Sequence, residues 1–390
     1  MEKWKTVRAA DFIEFNPRLS IKKGSIATKI AMDKLQPFTK KIVVTEQAAF
    51  TGGSKFCNGD TIMARITPCL ENGKTSYVDI LADGEVAFGS TEFIVLRAKA
   101  GVSDPQYIYY LATSPMFRNI AIKSMVGSSG RQRVQQGVLE ELELTVPALE
   151  DQRKIGVFLS SLDQKIALNN EINDNLQRQL LALYSELLVA HDIQQTVDLK
   201  TLCAFQEGYV NPSQTHPEYF DGNVKWLRAV DINESFIIET SRTLTTAGFE
   251  SAKKSALLFH PNTIAISKSG TIGRLGIIAD YMCGNRAVIN IRPHNPSHLP
   301  LIYAFLKSRQ KEFPDLAVGS VQKNLYVSIL ESLQLVLPET TAVDAFCNTG
   351  CAILELIRNN CQENVSLTNL RDSLLPKLMT GKIDVASIEV

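Results

Sequence analysis

At 390 residues the chain is too long for one ordinary core, so two or more domains are expected. Hydrophobic residues at 45% and charged residues at 21% describe a globular protein and exclude a disordered tail. No apolar run reaches the length of a bilayer span, and the start, Met1-Glu-Lys-Trp-Lys5, lacks a signal-peptide stretch, so a cytoplasmic protein without a membrane partner is expected. The net charge is zero but uneven: 19 Lys+Arg against 15 Asp+Glu over 1–149, and 14 against 12 over 195–338. Residues 150–194 and 339–390 each hold 4 against 7, so mildly basic and acidic stretches alternate without a strong basic stripe. The seven cysteines (Cys57, Cys69, Cys203, Cys283, Cys347, Cys351, Cys361) form no C-x-x-C pair and read as free thiols.

Residues 1–149 read as a mixed α+β domain. Short β-type runs such as Thr61–Ile66 and Thr91–Leu96 lie between Gly, Asn and Pro turns, and a helix is predicted over Gln106–Thr113. Then the texture changes. From Asp151 to Val189 there is one glycine, Gly156, and no proline. Apolar positions recur at Ile155, Leu159, Leu162, Ile166, Ile172, Leu176, Leu180, Leu183 and Leu187, broken where Asn169 would face the stripe. This predicts a long amphipathic helix over 150–192; 35 helical residues would span roughly 50 Å. Residues 193–339 read as a second α+β domain, with strands at Thr263–Ile266 and Ala287–Ile291 and a helix over Leu299–Lys311. A second long helix over 340–383 carries Phe346, Ile353, Ile357, Cys361, Leu370, Leu374 and Leu378, and 384–390 is a tail.

The two halves are copies of one another. Leu139-Glu-Glu-Leu-Glu-Leu-Thr-Val-Pro147 recurs as Leu330-Glu-Ser-Leu-Gln-Leu-Val-Leu-Pro338, an offset of 338 − 147 = 191. Gly24–Asp33 answers Gly222–Asp231 at 222 − 24 = 198, Gly59–Ile62 answers Pro261–Ile264, and Leu180–Leu188 answers Leu370–Leu378. A long amphipathic helix cannot bury its stripe alone. Either each lies along its own domain, or the two pair as an antiparallel coiled coil; the duplication favours pairing about a pseudo-two-fold axis. Asn169 and Asn364 would then be polar positions that set the register. The expected fold class is α+β: two duplicated mixed domains separated and joined by two long antiparallel helices. Such a spacer suits a reader of two half-sites one turn of duplex, roughly 34 Å, apart.

Apparent catalytic motifs do not hold. Gly73-Lys-Thr75 would need glycine where Pro68 stands to be a phosphate-binding loop. Gly270, Gly273 and Gly276 do not make a dinucleotide fingerprint, and Pro296 breaks any helical pairing of His294 with His298. Neither Asn16-Pro17 nor Asn211-Pro212 continues into the Pro-aromatic turn of an adenine methyltransferase. No catalytic or metal-binding set is recognised.

The ordered fragments resemble one family over nearly the whole chain: the specificity subunits of type I restriction–modification enzymes. In the first half these are Ala64–Lys74, Ser90–Arg97, Gly127–Val134, Pro147 and the helix start Gln152-Arg-Lys-Ile155. In the second they are Trp226–Asn233, Ser267–Gly273, Asn285–Ala287, Gly319–Leu325 and the ending Leu374–Ile383. The second helix start departs, reading Thr341-Ala-Val-Asp344. The resemblance implies that each α+β unit is a target-recognition domain reading half of an asymmetric bipartite site in double-stranded DNA. It implies that the paired helices dock two adenine-N6 methyltransferase subunits, that motor–nuclease subunits join them, and that S-adenosylmethionine, ATP and Mg belong to those partners. Two other readings stay open: a scaffold that binds no DNA, and a self-contained nuclease or methyltransferase with an unrecognised site.

Base edges are read by Arg, Lys, Asn and Gln, so the candidates for DNA contact lie in polar loops. Arg131, Gln132 and Arg133 occupy one glycine-flanked loop, and Gln322, Lys323 and Asn324 the aligned one. Lys268, Ser269, Thr271 and Arg274 lie on a Gly-rich turn whose N–H groups suit a phosphate; Arg65, Lys74 and Arg286 complete the set. Alternatively, these glycines simply turn the chain and the polar groups face water.

Overall fold

The computed structural model describes residues 4–128, 130–319 and 322–385. The opening Met1–Lys3, the loop positions Ser129, Ser320 and Val321, and tail residues 386–390 lie outside the described residues. The described residues up to Ala167, with those from Ser366 onward, form one compact unit; Leu168–Val365 form another.

In the first unit one sheet has the order Ile13–Phe15, Phe93–Ala98, Thr61–Ala64, Thr75–Tyr77, antiparallel throughout. A second runs Glu46–Ala49, Ile26–Ile30, Ala87–Gly89, Lys55–Phe56, and its central pair is parallel. A ribbon pairs Lys5–Arg8 with Glu143–Val146. The strand Thr61–Ala64 is buried throughout, as expected of a run with apolar neighbours on both faces, whereas Glu143–Val146 alternates exposed and buried. The helix Pro105–Thr113 starts where Asp104 accepts from the Tyr107 N–H and Pro105 needs no partner. Ser114 ends it and caps the next, Pro115–Lys123, in the same way.

The second unit repeats this order strand for strand. Cys203–Glu207, Val288–Pro293, Thr263–Ser267 and Leu275–Ile278 make the first sheet, extended by Phe236–Ile237. Thr243–Leu244, Phe220–Leu227, Met282–Gly284 and Leu258–Phe259 make the second, again with a parallel central pair. The ribbon is Gln195–Asp198 with Gln334–Leu337. One sequence alignment shifts by a residue. Ile30 opposes Gly89 and Leu227 opposes Gly284, so the step there is 227 − 30 = 197 and not 198. A one-residue slip would turn every side chain of the strand to the other face, and sheet pairing decides the matter. The predicted helix over Leu299–Lys311 ends at Ser308 and tightens into a 3-10 turn, Gln310–Glu312.

The long helices run Leu149–Ala190 and Thr340–Met379, 42 and 40 residues, stopping short of 192 and 383. Within each unit they lie both on each other and on the domain, so the two packing solutions are combined. In the second unit Leu180, Phe346, Ile353 and Ile357 are buried in one core with the Leu299–Ser308 helix, and Leu176 and Leu183 pack against it. The Tyr184 and Phe346 rings meet at 5.9 Å, and Asn169 meets Asn364, so the segments run antiparallel. In the first unit Ile155, Leu159 and Leu378 are buried together, with Leu374 against them; Leu162 and Ile166 are half-buried.

Two apolar positions do not join the seam: Ile172 and Leu370 are exposed. Their neighbours Asn173 and Arg371 take the inward places. Arg371 reaches the Asp163 carboxylate at 2.6 Å, and Tyr110 donates to the same carboxylate at 2.6 Å. In the second unit the end of the helix pair near Leu168 and Val365 carries a polar layer. Asn169, fully buried, donates through Nδ2 to Asn364 at 2.9 Å and Glu363 at 2.7 Å. Asn360 donates to Asn173 at 2.8 Å, and Asn364 to Asn170 at 2.9 Å. Such pairs match only in one register.

In the first unit Lys40 points inward. Its Nζ donates to Ser160 at 2.7 Å and to Gln106, and lies over the rings of Tyr77, Tyr109 and Tyr110 at 4.9–5.5 Å. Burial pushes this ammonium down to about 8, against the pull of Asp163, Asp79 and Asp104.

Two outcomes are expected. Asn169→Ala strips partners from Asn364 and Glu363 and should cost about 1–3 kcal/mol. Faster amide exchange in the described helix around 165–175 is the readout; unchanged protection would contradict it. For Lys40, the unfolded chain holds a proton that the folded one has released between about pH 8 and 10.5, so its contribution to stability rises with pH. Wild type should gain on the order of 2 kcal/mol over Lys40→Met between pH 7.5 and 10, read from paired melts. A pH-independent difference would refute the assignment.

Candidate nucleic-acid interface

In each domain a short loop is closed by a pair of backbone hydrogen bonds. In the first, Val126 N–H donates to Arg133 O at 3.0 Å and Arg133 N–H to Val126 O at 2.9 Å. In the second, Val318 and Asn324 exchange the same bonds at 3.0 and 2.9 Å. The glycine after each valine is required by geometry. Gly127 and Gly319 have φ of 135° and 143°, and a Cβ on Gly319 would stand 2.2 Å from Gln322 O. The exposed valines at the mouths, Val126 and Val318, are equivalent positions.

Each loop is stitched to the hairpin beside it. Val134 N–H donates to Arg65 O at 2.8 Å, and Leu325 N–H to Lys268 O at 2.9 Å, so Arg65 and Lys268 occupy the same structural place. Gln132 exchanges bonds with Thr67 at 3.0 Å through its backbone. Lys268 N–H donates to Ala287 O at 2.7 Å, which brings Arg286 alongside.

The sequence candidates therefore gather in two groups. Arg65, Arg131, Gln132 and Arg133 lie together in the first domain, and Lys268, Arg286, Gln322, Lys323 and Asn324 in the second. Arg131, Arg286, Gln322 and Lys323 are exposed; Asn324 Nδ2 is turned back onto Gln322 O at 3.1 Å. Ser269, Thr271 and Arg274 sit on the adjoining turn, which Ser267 holds by donating to Thr271 O and accepting from Arg274 N–H. Lys74 does not join them: its Nζ donates to Met32 O at 2.9 Å.

Sequence reasoning missed the acids beside these bases. Glu92 accepts from Arg133 Nε at 3.0 Å and Nη2 at 2.7 Å, and stands 3.8 Å from Arg65 Nε. Those bonds from Arg133 hold the Glu92 carboxyl below the usual range. In the second domain Glu207, at the end of the strand Cys203–Glu207 whereas Glu92 lies in a turn, accepts from Lys268 at 2.7 Å and Tyr209 at 2.6 Å. Burial raises the Glu207 carboxyl, but these bonds outweigh it and the net direction is down. Lys268 also lies 5.8 Å from the Tyr326 ring centroid. Glu92 falls inside the Ser90–Arg97 fragment, but nothing local marks it; Glu207 is 61 residues from its partner.

The helix-start Gln152 is also spent internally. Almost fully buried, it accepts from Asp104 N–H at 3.0 Å and donates to Pro147 O at 3.0 Å. The second helix start has buried Ala342 and Val343 instead. All seven cysteines are unpaired. Among the described residues no group of three or more His, Cys, Asp or Glu could hold a metal ion, and no helix is long and apolar enough to cross a membrane.

Known proteins resemble this chain throughout its length. The HindI specificity subunit, a type I restriction enzyme subunit of Haemophilus influenzae, is 24% identical over 406 residues, covering 83% of this chain and 86% of its own. The MjaIX specificity subunit of Methanocaldococcus jannaschii is 24% identical over 306 residues, 73% of this chain and 70% of that one. A crystal structure of the S subunit of a type I restriction–modification system from M. genitalium shares the fold, with a TM-score of 0.52 at 16% identity over 97% and 96% of the two chains. The family described as the type I restriction modification DNA specificity domain matches twice, over residues 1–178 and 193–366. With two such matches spanning most of its length, the chain belongs to the type I restriction–modification DNA specificity family.

Proposed function

We propose that this chain reads an asymmetric bipartite site in double-stranded DNA for a type I restriction–modification complex, each domain reading one half. The observation that carries the reading is the duplicated loop pair. One backbone frame presents Arg65, Arg131, Gln132 and Arg133 in the first domain and Lys268, Gln322, Lys323 and Asn324 in the second. Side chains of these types distinguish base edges, and one frame with two different sets suits two different half-sequences. Ser269, Thr271, Arg274 and Arg286 add donors for sugar and phosphate at the second loop.

In this reading the chain is not an enzyme. The long helices dock two adenine-N6 methyltransferase subunits, which bind S-adenosylmethionine, and motor–nuclease subunits bring ATP and Mg to complete restriction in the cytoplasm. Family membership and the surface left on each helix outside its buried stripe support this. Because Gln152 is engaged inside the first unit, the partner contacts at the helix starts rest on its exposed neighbours, such as Arg153.

Sequencing of methylated positions in a host that expresses the chain with its methyltransferase subunit tests this reading. Replacing residues 1–149 by another domain of the family should change one half of the motif and keep the other. A motif indifferent to the exchange would sink the reading. Duplex affinity should also fall with rising salt; a complex that assembles but binds no duplex at any salt concentration would instead be a scaffold.

A further inference from the structure

The Arg133–Glu92 pair has more geometry than an ordinary surface ion pair. Glu92 takes one edge of the planar guanidinium, accepting from Nε and Nη2, and the same carboxylate lies within 3.8 Å of Arg65 Nε. The Arg133 side chain remains 44% exposed, and among the described residues its Nη1 has no hydrogen-bond partner. The end of the guanidinium, Nη1 with the second Nη2 hydrogen, is thus left as two parallel donors pointing away from the carboxylate. Two parallel donors match the O6 and N7 acceptors of guanine in the major groove.

Backbone geometry fixes the other end of the side chain. Arg133 is the closing residue of its loop, bonded to Val126 through both N–H and O, and the next residue is tied to Arg65. An arginine held at its root and along one edge has little rotamer freedom left to lose on binding. The adjacent carboxylate also repels phosphate, which biases the arginine towards a base edge over the backbone. Among the described residues no carboxylate bonds the aligned residue of the second domain, Asn324, whose Nδ2 donates to Gln322 O instead. The device belongs to the first domain.

We propose that Arg133 reads one guanine in the half-site of the first domain, and that Glu92 is the positioning residue that aims it. This rests on the reading that these loops face duplex DNA. Lysine in place of Arg133 keeps the charge but offers a point donor in place of a fork. Glutamine in place of Glu92 keeps the shape but weakens the grip on the guanidinium and removes the repulsion of phosphate.

The test uses the whole complex with Arg133→Lys and Glu92→Gln, each compared with wild type by methylation-motif sequencing and by binding to duplexes altered at each position of the site. Both variants should lose discrimination ten- to a hundredfold at the same single G·C pair, with every other position still read. Arg133 is a surface residue, so Arg133→Lys carries the test if Glu92→Gln melts early. Unchanged preference at all positions would overturn the proposal. So would equal loss at every position, or a Glu92→Gln complex that only gains affinity for unrelated duplex, since the carboxylate would then merely screen the arginine. A motif that follows the exchange of residues 1–149 but ignores both substitutions defeats this inference alone; a motif that ignores the exchange defeats the reading beneath it.

Discussion

Two amphipathic helices of 42 and 40 residues, each about 60 Å long, carry apolar stripes that neither can bury alone. The folded chain answers this demand by using each stripe twice over. In the second unit the face bearing Leu180, Tyr184 and Leu187 shares one core with Phe346, Ile353, Ile357 and the helix Leu299–Ser308. In the first, Ile155 and Leu159 share a core with Leu378, Met379 and the helix Pro105–Thr113. Each fully buried Leu or Ile contributes about 1.5–3 kcal/mol. In each unit the helices and the domain share a core.

The polar layer is the exception to that economy, and it has a physical logic. Apolar seams tolerate sliding, because one leucine packs against another almost as well as against the next. Asn169 against Asn364 and Asn173 against Asn360 do not tolerate it, since a shift of one turn leaves buried amides without partners. Register is therefore held by groups that add little net stability.

The paired loops divide labour between backbone and side chain. Closure by the Val126–Arg133 and Val318–Asn324 bonds, and the ties to Arg65 and Lys268, are made by main-chain atoms. Only the glycines are demanded by conformation. The remaining side chains are free to differ between the copies without loss of the frame. The ion pairs show the same freedom: Glu92 and Glu207 come from different places in the two domains, yet each holds a basic residue at the equivalent position.

Duplication, two mixed domains and two long helices could all be read from the chain, because periodicity and repeated fragments are local properties. So could the grouping of Arg131–Arg133 and Gln322–Asn324, which are adjacent in sequence and flanked by the glycines that shape them. Other features depended on neighbours far along the chain. Which of Ile172 or Asn173 turned inward was set by the partner helix, since a stripe of 3.6 period drifts and either residue lies near its edge. Lys74 reads as a loop cation, but Met32 O holds its ammonium. The step of 197 was decided by the strand opposite. Local pattern determined which elements exist and in what order they recur. Tertiary structure alone decided which carboxylate meets which arginine, because charge pairing acts through space and leaves no period in the sequence.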